Sequence, residues 1–186
     1  MKKLVFMAAL MLAAVGAYAQ HEIGSINIQP KVGLNLATVS DAPKDAEMKL
    51  GLAAGVEAEY QVTDLLSITL GAMYSQQGYK MKDDKFQMDY VNVPVMANVY
   101  VVSGLAVKLG VQPGFQISNK FKAGSAKAID LKGGKKFDLS IPVGVSYEYS
   151  NFQIDARYNW GLTKLNEVGK SKNDVFQVTL GYKFQL

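Results

Sequence analysis

Chemistry in a protein chain needs side chains that move protons, donate electron pairs or hold metals. This sequence of 186 residues has few arranged to do so. It has no Cys and one His, which removes disulfides, thiolate metal sites and a Cys nucleophile. His21 stands near the head of the chain, before the first patterned segment, where no base or nucleophile can be organised around it. The carboxylates are more suggestive. Glu57 and Glu59 share one face of a two-residue repeat, a spacing that suits acid–base work, a divalent ion or salt bridging. Salt bridging fits best, because bases fall on the same face of other segments. Asp83 and Asp84 lie among Lys80, Lys82 and Lys85, the composition of a solvated loop tip. Gly133-Gly134 lacks the strand and helix context of a phosphate loop. The sequence predicts no enzyme, no cofactor and no metal site.

The segments that carry these residues repeat with period two. In the first, Ile26, Ile28, Pro30, Val32, Leu34 and Leu36 alternate with polar residues and Gly33. The same scheme recurs from Met48 to Tyr60, Leu66 to Tyr74, Val91 to Val101 and Val107 to Ile117. It continues from Phe137 to Tyr147, Phe152 to Leu162 and Phe176 to Leu186. One face of these eight segments carries no charge. The other holds Gly, Ser, Thr, Asn, Gln and a nearly balanced charge set, with Lys31, Lys108, Arg157 and Lys183 against Glu57, Glu59, Asp138, Glu148 and Asp155. Short polar breaks at Thr63-Asp64, Ser103-Gly104 and Ser150-Asn151 alternate with long ones at Ser40–Glu47, Tyr79–Gln87, Asn119–Lys135 and Lys164–Asp174. The pattern predicts an all-β, eight-stranded antiparallel up-and-down barrel.

Met1–Ala19 has a basic start, an apolar run and an Ala17-Tyr18-Ala19 cleavage site, which together read as a secretory signal peptide. Residues 20–186 would be the barrel domain. The net charge of +4 includes Lys2 and Lys3, so the exported chain is close to neutral and gives no sign of nucleic acid.

Two solvents explain the alternation. A soluble, lipocalin-like barrel would turn its apolar face inward around a small molecule. A membrane barrel would turn it outward into lipid. The balanced polar face and two aromatic belts favour the membrane. Tyr60, Tyr147, Phe152, Tyr182 and Phe184 form one belt; Tyr74, Phe115, Phe137, Tyr158, Trp160 and Phe176 form the other. Eight strands enclose an interior that side chains can fill, so a plugged lumen is expected rather than an open channel.

Four short motifs add a resemblance. They are Lys31-Val32-Gly33-Leu34-Asn35, Tyr90-Val91-Asn92-Val93-Pro94-Val95, Arg157-Tyr158-Asn159-Trp160-Gly161-Leu162 and Gly181-Tyr182-Lys183-Phe184. In order and spacing they resemble the PorT-type outer-membrane β-barrel family, and the chain's size is similar to the OmpX and OmpA barrels. The resemblance implies an outer-membrane location and a role in envelope integrity, adhesion or an envelope assembly. One loop stands out: Lys120, Lys122, Lys127, Lys132, Lys135 and Lys136 face a single acid, Asp130. Besides membrane lipid, the expected partner of this loop is an anionic surface glycolipid or an envelope protein, met by a monomer.

Overall fold

The computed structural model describes residues 22–40, 46–81, 84–123, 129–130, 136–164 and 171–186. The proposed signal peptide lies outside them. The strands are β1 (Ile26–Val39), β2 (Ala46–Gln61), β3 (Leu66–Met81), β4 (Asp84–Asn92), β5 (Val95–Val102) and β6 (Leu105–Lys122). They continue with β7 (Ile129–Asp130), β8 (Phe137–Tyr149), β9 (Phe152–Gly161), β10 (Asn173–Tyr182) and β11 (Phe184–Gln185). Strand β1 pairs with β2 on one side and with β10 and β11 on the other, so the sheet closes.

Two staves of the barrel are interrupted. β4 and β5 are halves of one stave, split at Val93-Pro94, because Pro94 has no N–H for the ladder. The Val93 N–H reaches the Pro113 carbonyl at 2.8 Å, and the Gly71 N–H reaches that of Pro94 at 2.9 Å, which keeps the stave seated. β10 and β11 are halves of another, split at Lys183. With β7 an appendage of β6, the wall has eight antiparallel staves, as the periodicity predicts.

Burial decides which solvent the alternation serves. Along β9 the outward side chains are Phe152, Ile154, Tyr158 and Trp160, while Gln153, Asp155, Arg157 and Asn159 are buried. Leu34 is 53% exposed and Trp160 60%, whereas Glu57 and Asp155 are 0% exposed. Apolar residues ring the outside of every stave, and charges are dry within. That is the reverse of a water-soluble barrel and requires an apolar medium around the wall. The soluble, ligand-filled alternative fails here.

Tight turns join β2 to β3, β5 to β6 and β8 to β9 at one end. Gly104 (φ 82) and Ser150 (φ 55) occupy the left-handed region there, as two-residue hairpin turns require. The other end departs from expectation. Residues read as the loops Tyr79–Gln87 and Asn119–Lys135 are partly strand, because β3, β4 and β6 run past the wall and β7 pairs with β6. Aromatic neighbours across the ladder hold this extension: Tyr79 stacks on Phe86 at 4.6 Å between centroids, and Phe86 meets Phe121 at 4.7 Å. Such pairs outweigh the loop-like Lys and Asp around them.

Candidate functional site

The lumen contains two charge clusters built from inward positions of different staves. In the first, Asp155 on β9 receives Lys108 Nζ from β6 at 2.6 Å and both Nε and Nη2 of its neighbour Arg157, at 2.8 and 2.9 Å. Lys31 on β1 bonds Glu57 on β2 at 2.6 Å and reaches Asp155 at 3.4 Å. Arg157 Nη1 pairs with Glu57 Oε1 at 2.9 Å. Three cations thus share two carboxylates.

The second cluster has the opposite imbalance. Lys183, in the gap between β10 and β11, pairs with Glu59 at 2.9 Å and with Glu148. Glu59 also accepts the Tyr100 hydroxyl at 2.6 Å and hydrogen bonds from Ser67 and Gln29. Taken together, Lys31, Lys108, Arg157 and Lys183 balance Glu57, Asp155, Glu59 and Glu148. A buried charge is tolerable when paired and hydrogen-bonded in this way.

Glycine makes room for the longest of these side chains. Gly181 lies opposite Lys31, and a Cβ there would stand 2.9 Å from the Lys31 Cγ. Gly144 lies opposite Arg157, and a Cβ there would stand 2.8 Å from the Arg157 Cβ. Tyr100, Met73 and Met96 are buried as well, and Arg157 Nη1 rests on the Met96 sulfur at 3.4 Å.

The structure separates Asp138 from this network. Its side chain points inward but lies near the loop end, where it accepts the Leu139 N–H at 2.9 Å and the Asn173 side-chain amide at 3.2 Å. Sequence reasoning also left out two buried charges at that end, Lys49 and Asp89. Lys49 donates to the Gln77 carbonyl at 3.2 Å. Lys49 falls on the polar face of its segment, so alternation does signal it; Asp89 follows a stretch that reads as loop. Glu57 and Glu59, candidates for acid–base work, belong to different clusters and are both held by cations. Among the described residues no three His, Cys, Asp or Glu side chains group as a metal site.

Of the lysine loop, Lys120, Lys122 and Lys136 are described and exposed. Lys127, Lys132 and Lys135 lie outside the described residues. Lys122 is the ladder partner of Lys85, and Lys85 that of Lys80. Partners across a ladder share a face. Three lysines therefore stand in one row, with Lys120 two residues from Lys122 on the same side.

A closed barrel with apolar walls and a buried, ion-paired polar interior is the architecture of an outer-membrane protein. Residues 18–167 match the outer membrane protein beta-barrel domain. The chain belongs to that family. This outer-membrane barrel therefore resides in the outer membrane, with its eight staves spanning the lipid. No curated protein matches it. Among solved structures, the Neisserial surface protein A is 17% identical, with a TM-score of 0.56 over 86% of this chain and 97% of that one. Ail, the attachment invasion locus protein of Yersinia pestis, is 16% identical, with a TM-score of 0.51 over 88% of this chain and 100% of that one. These likenesses are of fold.

Proposed function

We propose that this barrel is a non-catalytic interaction protein that holds a basic sheet at the cell surface for an anionic saccharide, free or carried by glycolipid. The row Lys80, Lys85 and Lys122 carries the reading. Like charges placed directly opposite one another destabilise a sheet, and a bound anion relieves that repulsion. Ail offers a parallel, having been solved in complex with the heparin analogue sucrose octasulfate. In this reading the tight turns face the periplasm and the lysines face outward. The barrel acts as a monomer in envelope integrity or adhesion, and its ion-paired lumen passes no solute.

Sucrose octasulfate is the probe. The protein folded in nonionic detergent should bind it saturably, and affinity should fall about tenfold or more as salt rises and screens the patch. Binding that is absent, or indifferent to salt, overturns the proposal.

We further propose that Met1–Ala19 is removed on export, leaving residues 20–186 with Gln20 first. The intact mass of protein extracted from membranes checks this, and a mass that retains the segment refutes it. The finer kinship with the PorT-type family is also a proposal. Its support is that Lys31, Asn35, Pro94 and Arg157 all point into the bore, with Gly33 at an inward position between Lys31 and Asn35, so the shared motif encodes the interior. Relatives with the motif but without acids at the Glu57 and Asp155 positions would count against it.

A further inference from the structure

A small cavity of about 10 Å³ lies inside the barrel near its loop end, lined by Asp138, Asn173, Gln77, Asn159, Ser140 and Gln112 among others. That is room for a single water or a bare ion. Its lining holds one carboxylate among amide side chains. Asp138 is 8% exposed, and among the described residues no Lys or Arg forms an ion pair with it. Its two oxygens take only the Leu139 N–H and the Asn173 amide.

Around the carboxylate, the side-chain oxygens of Gln77, Asn159 and Asn173 are buried with no donor among the described residues. The orientation of Asn173 is fixed by the amide nitrogen of the same side chain. Asn173 Nδ2 donates to Asp138 and to the Tyr90 hydroxyl, both at 3.2 Å. Gln77 Nε2 donates to Ser75 at 3.1 Å. An ionised carboxylate only accepts, so the Asn173 oxygen cannot exchange places with its nitrogen without losing the bond to Asp138.

A water can donate to two acceptors but carries no charge, so it leaves the Asp138 carboxylate uncompensated. A cation compensates the carboxylate and takes the amide oxygens as further ligands. We infer that this cavity is a binding site for a dehydrated hard cation, with the Asp138 carboxylate and the oxygens of Gln77, Asn159 and Asn173 as its ligands. Ca²⁺ accepts shells of carboxylate and amide oxygens, and Na⁺ shares that chemistry. Mg²⁺ keeps a water shell and has no room here. Amide oxygens leave no motif, which is why the sequence predicts no metal. The ion would tie β8, β9 and β10 to β3 at the loop end.

The test uses the whole chain, folded in nonionic detergent and stripped of metal. Tb³⁺ is the first probe, since Tyr90 is one hydrogen bond from Asn173 and can sensitise its emission. Saturable emission is expected, displaced by Ca²⁺ or Na⁺ but at least tenfold less well by Mg²⁺, and lost in Asp138→Asn. Greater potency of Ca²⁺ assigns the divalent ion, and greater potency of Na⁺ the monovalent one. Asp138→Asn removes an unpaired buried charge and should melt at or above the metal-free parent. The melting temperature of the parent protein is a second measurement that needs no variant. It should rise with Ca²⁺ or Na⁺ beyond a choline chloride control of equal ionic strength. No rise over choline, or Tb³⁺ emission that persists in a folded Asp138→Asn protein, overturns the inference.

Discussion

Asp155→Asn should destabilise the barrel by about 3–5 kcal/mol, the range for removing one partner from a buried ion pair. Asp155 is paired with all three cations of its cluster, and it holds Lys108 at 2.6 Å where Glu57 stands 4.0 Å away. Neutralising it leaves Lys31, Lys108 and Arg157 facing Glu57 alone, in a bore where water cannot replace the lost partner. Arg157→Met should cost less, because two lysines would still balance two carboxylates. The measurement is denaturant unfolding in detergent, followed by the shift between folded and unfolded bands on unheated gels. A further arm isolates charge from shape. Lys108→Met in the Asp155→Asn background restores neutrality and should recover part of the loss, giving a coupling of about 0.5–3 kcal/mol. Strict additivity of the two changes would show that the cluster does not act as an electrostatic unit.

Lys85→Glu should move stability and binding in opposite directions. Position 85 sits between Lys80 and Lys122 in the row. A carboxylate there replaces two repulsive ladder contacts with two attractive ones, worth about 0.5–1 kcal/mol in an exposed sheet. The same change removes two units of positive charge from the patch. Affinity for sucrose octasulfate should fall roughly tenfold, equivalent to about 1.4 kcal/mol. Thermal unfolding and a binding titration on the same preparation read both quantities. Weaker binding accompanied by lower stability would mean that the sheet itself had been damaged. Unchanged binding would remove the lysine row from the proposed site.

The wall of the barrel was legible because its rule is local. Alternation assigns each side chain of a strand to one of two faces, and a chain that must show lipid an uncharged face keeps that rule along the spanning part of each stave. Alternation is silent on height along the axis. Height depends on how far each stave is shifted against the next, and that shift is written in long-range pairings. Asp138 therefore grouped with Asp155 on paper, since both point inward, yet they lie at different levels. The extension beyond the wall was hidden for another reason. Lys80, Asp84 and Lys85 read as loop by composition, while Tyr79, Phe86 and Phe121 make strand by contacts that appear only once three segments are adjacent. Glycine opposite Lys31 and Arg157 is a pattern of the same kind, visible when partners are known.

The pairing of β1 with β10 and β11 has a kinetic meaning. Lys31 meets Asp155 across 124 residues of chain, and Lys183 meets Tyr100 across 83. The first and last staves form a seam, and several of the ion pairs are latches that engage only when it shuts. Before that moment the bore is an open trough in which the charges keep their water. Dehydration of the interior and completion of the cylinder are then a single cooperative step. Contacts this distant in sequence make the step slow. A chain stopped short of Tyr182 would keep a strand edge and a wet row of charges facing the lipid.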